Sequence, residues 1–275
     1  MARAQYAGGR DRIGAALVTL GLIVSALSGC APPSSPPHVA SQAPTPPAVP
    51  ATTGSSTPPP EPGTQGVSNG AHYSVSKPVL SGTTPDNVGS WDLTVGQVAG
   101  GDPAVAQAFN KAAIASANSQ LEQVRHEAGP DRWTFKTMPI VTLRTAAITQ
   151  LLTGVFYARG AAHPVSYPST VVIDSRTAQP VTLSALFTDE QAGLARLSEQ
   201  TRTQLHIQTT NAATHPDFLG TAPLEKNFAN WLPTDAGIQV EFADGQIGPG
   251  LQVVTVSWPA ITDLLNPDMA ALATP

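Results

Sequence analysis

The first apolar pattern along the chain is a single unbroken run, Ile13 to Ala26, with no charged residue inside it. Its length suits the hydrophobic region of a signal peptide and is short for a stable membrane span. Proline then takes over. Residues 31–66 hold 12 of the chain's 27 prolines, with Glu61 the only charge. Such a stretch buries too little apolar surface to offset the entropy of ordering, which predicts a disordered, extended tether. At ~3.1 Å per residue it could reach on the order of 100 Å.

Periodicity begins after residue 68. Trp91 to Val95 alternates as a half-buried strand does. Asp102-Pro103 reads as an N-cap followed by proline in the first helical position. Val105, Phe109, Ala113, Ala117 and Leu121 then recur every four residues, predicting one helix to about Glu127. Residues 132–144 and 147–158 suggest a strand pair, and Val171 to Asp174 a further short strand. Thr188-Asp189-Glu190-Gln191 has capping-box form and opens a helix through Leu194, Leu197, Thr201 and Leu205. Ile238 to Phe242 alternates, Gly248-Pro249-Gly250 turns, Leu251 to Trp258 is another strand, and Pro259 starts a short last helix around Leu264 and Leu265.

Strands and helices come in mixed order, without the regular alternation of a doubly wound sheet. The pattern predicts an α+β domain with a largely antiparallel sheet packed with helices. The expected division is residues 1–29 as leader, 30–67 as linker and 68–275 as one domain of close to 200 residues, enough for a sizeable core.

Charge and cysteine sharpen this picture. The chain carries a formal −5; without residues 1–29 there remain 11 basic and 18 acidic residues, about −7. No basic run follows residue 12, which argues against nucleic acid and against electrostatic attachment to anionic lipid. There is one cysteine, Cys30, so no internal disulfide can form. Arg3, Arg10 and Arg12 precede the apolar run, and Leu27-Ser28-Gly29-Cys30 closes it. This resembles the bacterial lipobox, which implies cleavage after Gly29, a diacylglyceryl group on the Cys30 thiol and further acylation such as palmitate. Two or more acyl chains anchor stably where one does not. The expected address is the extracytoplasmic face of the cell membrane.

Several segments of the domain are similar to one family. Gly160-Ala161-Ala162-His163-Pro164 follows a strand ending Val155-Phe156-Tyr157 and resembles a Gly-Gly-x-His motif. Val172-Ile173-Asp174, Gln179 to Leu183, Leu186-Phe187, Phe228 to Leu232, Asp235 to Ile238 and Val253 to Trp258 continue the likeness in order. The family is that of extracytoplasmic domains shared by mycobacterial secreted immunogenic proteins and the lysozyme-sensing domain of a membrane-bound anti-sigma factor. The resemblance covers roughly residues 72–266 and implies a fold and a location; members are not known as enzymes and their partners differ. Ala161 stands where the motif has its second glycine, so a conformation that only glycine tolerates is expected to be lost there.

Candidate chemistry is sparse. His163, beside Tyr157 and Tyr167, reads either as a ligand contact or as a ring bonded to backbone that fixes its turn. The remaining histidines after the leader show no metal-binding spacing, and neither a metal nor another cofactor is expected. Gly66-Val67-Ser68-Asn69-Gly70 has nucleophile-elbow spacing without the strand-to-helix context, and Ser74 to Lys77 has Ser-x-x-Lys spacing without its companion motifs. No catalytic residue is assigned. Asp174, Glu225 and Glu241 are carboxylates that could converge for glycosidic chemistry. The expectation is a non-enzymatic, membrane-anchored envelope lipoprotein binding a protein or cell-wall ligand. The alternative is an envelope hydrolase acting on glycan or ester bonds, with His163 as acid or base.

Overall fold

The computed structural model of the protein describes residues 64–206 and 219–274. The leader, Cys30 and the proline-rich segment through residue 63 lie outside the described residues.

The domain opens with a hairpin. β1 (Gln65–Ser68) and β2 (Ala71–Ser76) pair antiparallel around Asn69 and Gly70, both in left-handed backbone at φ 48° and 73°. Asn-Gly is a preferred pair for such two-residue turns. Gln65, Gly66 and Val67, placed in the linker by composition, are therefore strand residues. Their pairing partners lie at His72 to Ser74, which local composition does not register. β3 (Val79–Thr83), β4 (Gly89–Thr94) and β5 (Gln97–Gly100) follow, and β5 completes a three-stranded sheet with β1 and β2.

α1 (Pro103–Glu127) starts where the pattern places it. The Asp102 carboxylate accepts from the Ala104 and Val105 amides at 2.7 and 3.3 Å, and the five residues at four-residue spacing are buried. β6 (Trp133–Leu143) and β7 (Ala147–Ala158) form the expected antiparallel pair. β8 (Val165–Asp174) is longer than the apolar pattern suggested, because Pro168 stands inside it. β8 is an outermost strand, the position at which a sheet tolerates proline. The central sheet has the order β3-β4-β6-β7-β8, with β4 and β6 parallel and the other neighbours antiparallel.

The C-terminal half adds α2 (Leu183–Leu186), α3 (Glu190–Gln204) and an antiparallel sheet of β9 (Trp231–Pro233), β10 (Gly237–Phe242) and β11 (Gln252–Ser257). The cap of α3 is Asp189, which accepts from the Ala192 amide at 3.1 Å; Thr188 is not the cap. The Thr188 hydroxyl donates instead to the Leu265 carbonyl at 3.3 Å, so the C-terminal segment claims it. The expected last α-helix is a series of 3-10 turns, Trp258–Ala260, Thr262–Leu264 and Pro267–Ala273.

The protein is thus an α+β domain with two apolar cores. One lies between α1 and the central sheet, with Tyr73 and Val75 of β2 added. The other packs α2, α3 and the C-terminal sheet together. β8 serves both through its alternation: Val171 and Ile173 enter the first core, Val172 the second.

Candidate functional site

Alternation along β6 builds the most distinctive surface. Trp133 and Phe135 are buried toward α1, while Thr134, Lys136, Met138 and Ile140 point the other way and are exposed. Cross-strand register extends this second face: Thr134 lies opposite Tyr157, and Lys136 is beside Asp92. The C-terminal sheet reaches β8 and part of β7, where Val172 and Leu151 meet the second core. Nothing among the described residues covers the remainder. Met138 is 56% exposed and Ile140 61%, and Val79 and Tyr157 are also open to solvent.

Two adjoining clefts cut into this face. One of about 370 Å³ runs over β3, β4 and β6 and is lined by Ser81, Asp92, Thr134 and Lys136 among others. The second, about 440 Å³, continues to the end of the sheet and is walled by Tyr157, Arg132 and Arg159. They share Thr83, Ser90 and Thr134, so they form one trough edged with hydroxyls. The Ser81 hydroxyl donates to Asp92 Oδ1 at 2.8 Å, and Lys136 Nζ lies 3.7 Å from Asp92 Oδ2. Arg132 and Arg159 enter no ion pair among the described residues. The arrangement offers hydrogen bonds, cationic ends and exposed apolar side chains, a lining for recognition.

The three residues singled out from sequence do not converge. Tyr157 lies in the trough. Tyr167 is on the opposite face, where its hydroxyl donates to Glu127 Oε2 at the end of α1 and its carbonyl accepts from Gln120 Nε2 at 2.9 Å. Burial and the neighbouring Glu127 push the Tyr167 phenol well above its ordinary range, so it is a neutral tie between α1 and β8. His163 sits exposed on the β7–β8 turn, its Nδ1 3.1 Å from the Pro164 carbonyl, and lines none of the clefts described. Strand register explains the separation: Tyr157 and Tyr167 fall on opposite sides of the pleat although both belong to the same hairpin. In that turn Gly160, at φ 86°, takes the left-handed conformation; Ala161 is not among the positive-φ residues, so its side chain is tolerated.

The carboxylates have separate local roles. Asp174 is buried and receives Arg176 through Nε at 3.0 Å and Nη2 at 2.6 Å. Glu241 is buried beside Gln239, which donates to it at 2.6 Å, and burial raises its pKa above the usual carboxylate value. Glu225 is exposed on a one-turn 3-10 helix. Ser68 is buried within β1, its hydroxyl directed at the Ala147 carbonyl, and Ser74 lies on β2. Neither occupies a strand-to-helix elbow. Among the described residues, no three His, Cys, Asp or Glu side chains are grouped to hold a metal ion.

Arg132, Arg159, Met138 and Ile140 escaped the sequence reading. For Met138 and Ile140 the signal was present, since β6 carries apolar residues at both parities whereas a strand with one wet face alternates; Arg132 and Arg159 lie just outside the strands and no pattern marks them.

No helix among the described residues is long and apolar enough to cross a membrane. No family model and no curated protein matches the sequence. Solved structures do match. A DUF3298 family member from Bacteroides fragilis superposes with a TM-score of 0.52 at 11% identity, covering 74% of this chain and 98% of its own. A DUF3298 family protein from Pseudomonas aeruginosa gives 0.50 at 13% identity, covering 71% and 95%. The chain shares its fold with these DUF3298 proteins.

Proposed function

We propose that the protein is a non-enzymatic envelope lipoprotein, anchored to the membrane through Cys30, whose domain binds a protein or cell-wall ligand on the uncovered face of the central sheet. The observation that carries this reading is the face itself. A contiguous set of exposed apolar side chains beside a hydroxyl-edged trough is uncommon on a monomer unless something docks there. The lipobox and tether supply the location, and the resemblance to secreted immunogenic and lysozyme-sensing domains supplies the precedent for binding. The hydrolase alternative needs His163 as acid or base, and its bonding to the Pro164 carbonyl, away from the clefts, favours the binding reading.

The test is a binding panel of lysozyme-like proteins and cell-wall fragments offered to the full mature chain. Met138→Glu should abolish capture of the cognate ligand while leaving the thermal midpoint unchanged. Turnover of a glycan or ester substrate that disappears with His163→Ala would overturn the proposal. Anchoring is checked separately: Cys30→Ala should eliminate incorporation of labelled palmitate.

A further inference from the structure

Where the uncovered face meets the C-terminal sheet, a third cleft of about 280 Å³ holds an unequal ion pair. Arg144, on the β6–β7 turn, is only 9% exposed in its side chain, whereas its partner Asp235 is 73% exposed. Arg144 Nη1 donates to Asp235 Oδ1 at 2.7 Å and Nη2 to the Thr274 carbonyl at 3.3 Å. Its Nε is buried without a partner. The guanidinium is thus desolvated and under-satisfied, and its planar fork of N–H groups suits a carboxylate at the Nη1 end that Asp235 now occupies. Asp235 neutralises the charge from a solvent-exposed turn, so its carboxylate is able to swing into water, and the buried guanidinium it vacates calls for another anion in its place.

The rest of the lining describes what could replace it. Ile140, Leu151 and Leu232 give an apolar wall, and Ile140 is largely open. Gln239 Nε2 is engaged by Glu241, which leaves its carbonyl oxygen as an acceptor. An apolar wall, an amide acceptor and a buried guanidinium in one small cleft match one chemical group: an amino acid residue at the end of a chain. A free fatty acid has no N–H to offer Gln239. The volume is at the small end for ligand pockets and suits one or two residues.

We infer that this cleft takes the C-terminal carboxylate of a peptide with an apolar last side chain, which replaces Asp235 on Arg144. The inference rests on the binding role of the same face and names the ligand chemistry at one end of it.

Calorimetric titration of the full mature chain with N-acetyl-Ala-Leu, its C-terminal amide and hexanoate tests this. The free acid should bind on the order of tenfold more tightly than the amide, the scale of a lost charge-assisted pair. Asp235→Ala should tighten the acid by roughly threefold or more by removing the competing carboxylate. Arg144→Gln should abolish binding, but because Arg144 also holds the Thr274 carbonyl, the Asp235 variant carries the test. Equal binding of acid and amide, or no gain from Asp235→Ala, would overturn the site. Hexanoate binding as tightly as the peptide acid would overturn the assignment to a peptide terminus. This cleft shares no lining residue with the trough. A silent ligand panel with a live dipeptide response would therefore count against the wider proposal alone.

Discussion

The two faces of the central sheet both carry apolar residues, and those residues have opposite fates. On the face toward α1, Leu93, Trp133, Phe135, Ile148 and Leu152 are buried among Phe109, Ala113 and Leu121. On the other, Met138 and Ile140 of the same strand β6 remain in solvent. Among the described residues a helix covers only one of these surfaces; on the other, the C-terminal sheet shields β8 and part of β7. Apolar burial is the main favourable contribution to folding, so a domain that leaves part of such a surface open forgoes stability. The covered face holds the fold together, and the open face is available for contact.

The largest expected effect separates the faces by stability. Phe109 of α1 is fully buried against the sheet, and Phe109→Ala should cost about 3–5 kcal/mol in urea unfolding, the usual cost of emptying a core position. Ile140→Ala removes several carbons from the opposite face and should cost less than about 0.5 kcal/mol. Comparable losses at the two positions would mean that the second face is covered in solution.

Intermediate in size is the polar contact inside the covered face. Gln120 is buried on α1, and its Nε2 lies 3.1 Å from the Leu152 carbonyl and 2.9 Å from the Tyr167 carbonyl, bridging β7 and β8. Gly154 makes this approach possible, since a Cβ there would meet Gln120 Oε1 and the Phe135 ring at 2.6 Å. Gln120→Ala strips a donor from two strand carbonyls and should cost roughly 1–3 kcal/mol. Amide exchange should accelerate along β7 and β8 and not in β10 or β11; uniform acceleration would show that the contact is not local.

How far this division could be read from sequence depends on which partners are local. α1 was legible to the residue, because Asp102, Pro103 and the four-residue spacing act within one turn of each other. The β6–β7 pair was legible for the same reason. The cap at Asp189 was displaced by one residue because Thr188 is taken by the Leu265 carbonyl, 77 positions away, and β1 was lost to the linker because its partner strand follows a turn. The site was less accessible. Tyr157 lines the trough whereas Tyr167 and His163 lie away from it, since nearness in a hairpin says nothing about which side of the pleat a residue takes. Arg144 and Asp235 meet across 91 residues, a pairing that a single sequence does not encode visibly.

The smallest stability effect gives the sharpest comparison. Lys136 and Asp92 form an ion pair in the trough at 3.7 Å, with side chains 68% and 46% exposed. A double-mutant cycle on Lys136→Ala and Asp92→Ala should return a coupling of about 0.5 kcal/mol or less, falling further as salt rises, because water and counterions already solvate both groups. On stability alone the pair is nearly dispensable, the reverse of Phe109. Lys136, Asp92 and Ser81 nevertheless present charge and hydroxyl groups along the cleft floor, where an occupant displaces water and strengthens each contact. Lys136→Ala should therefore weaken capture of the cognate ligand by on the order of tenfold while moving the unfolding midpoint hardly at all. A stability loss without a binding loss would assign the pair to the fold and remove the trough from the binding surface.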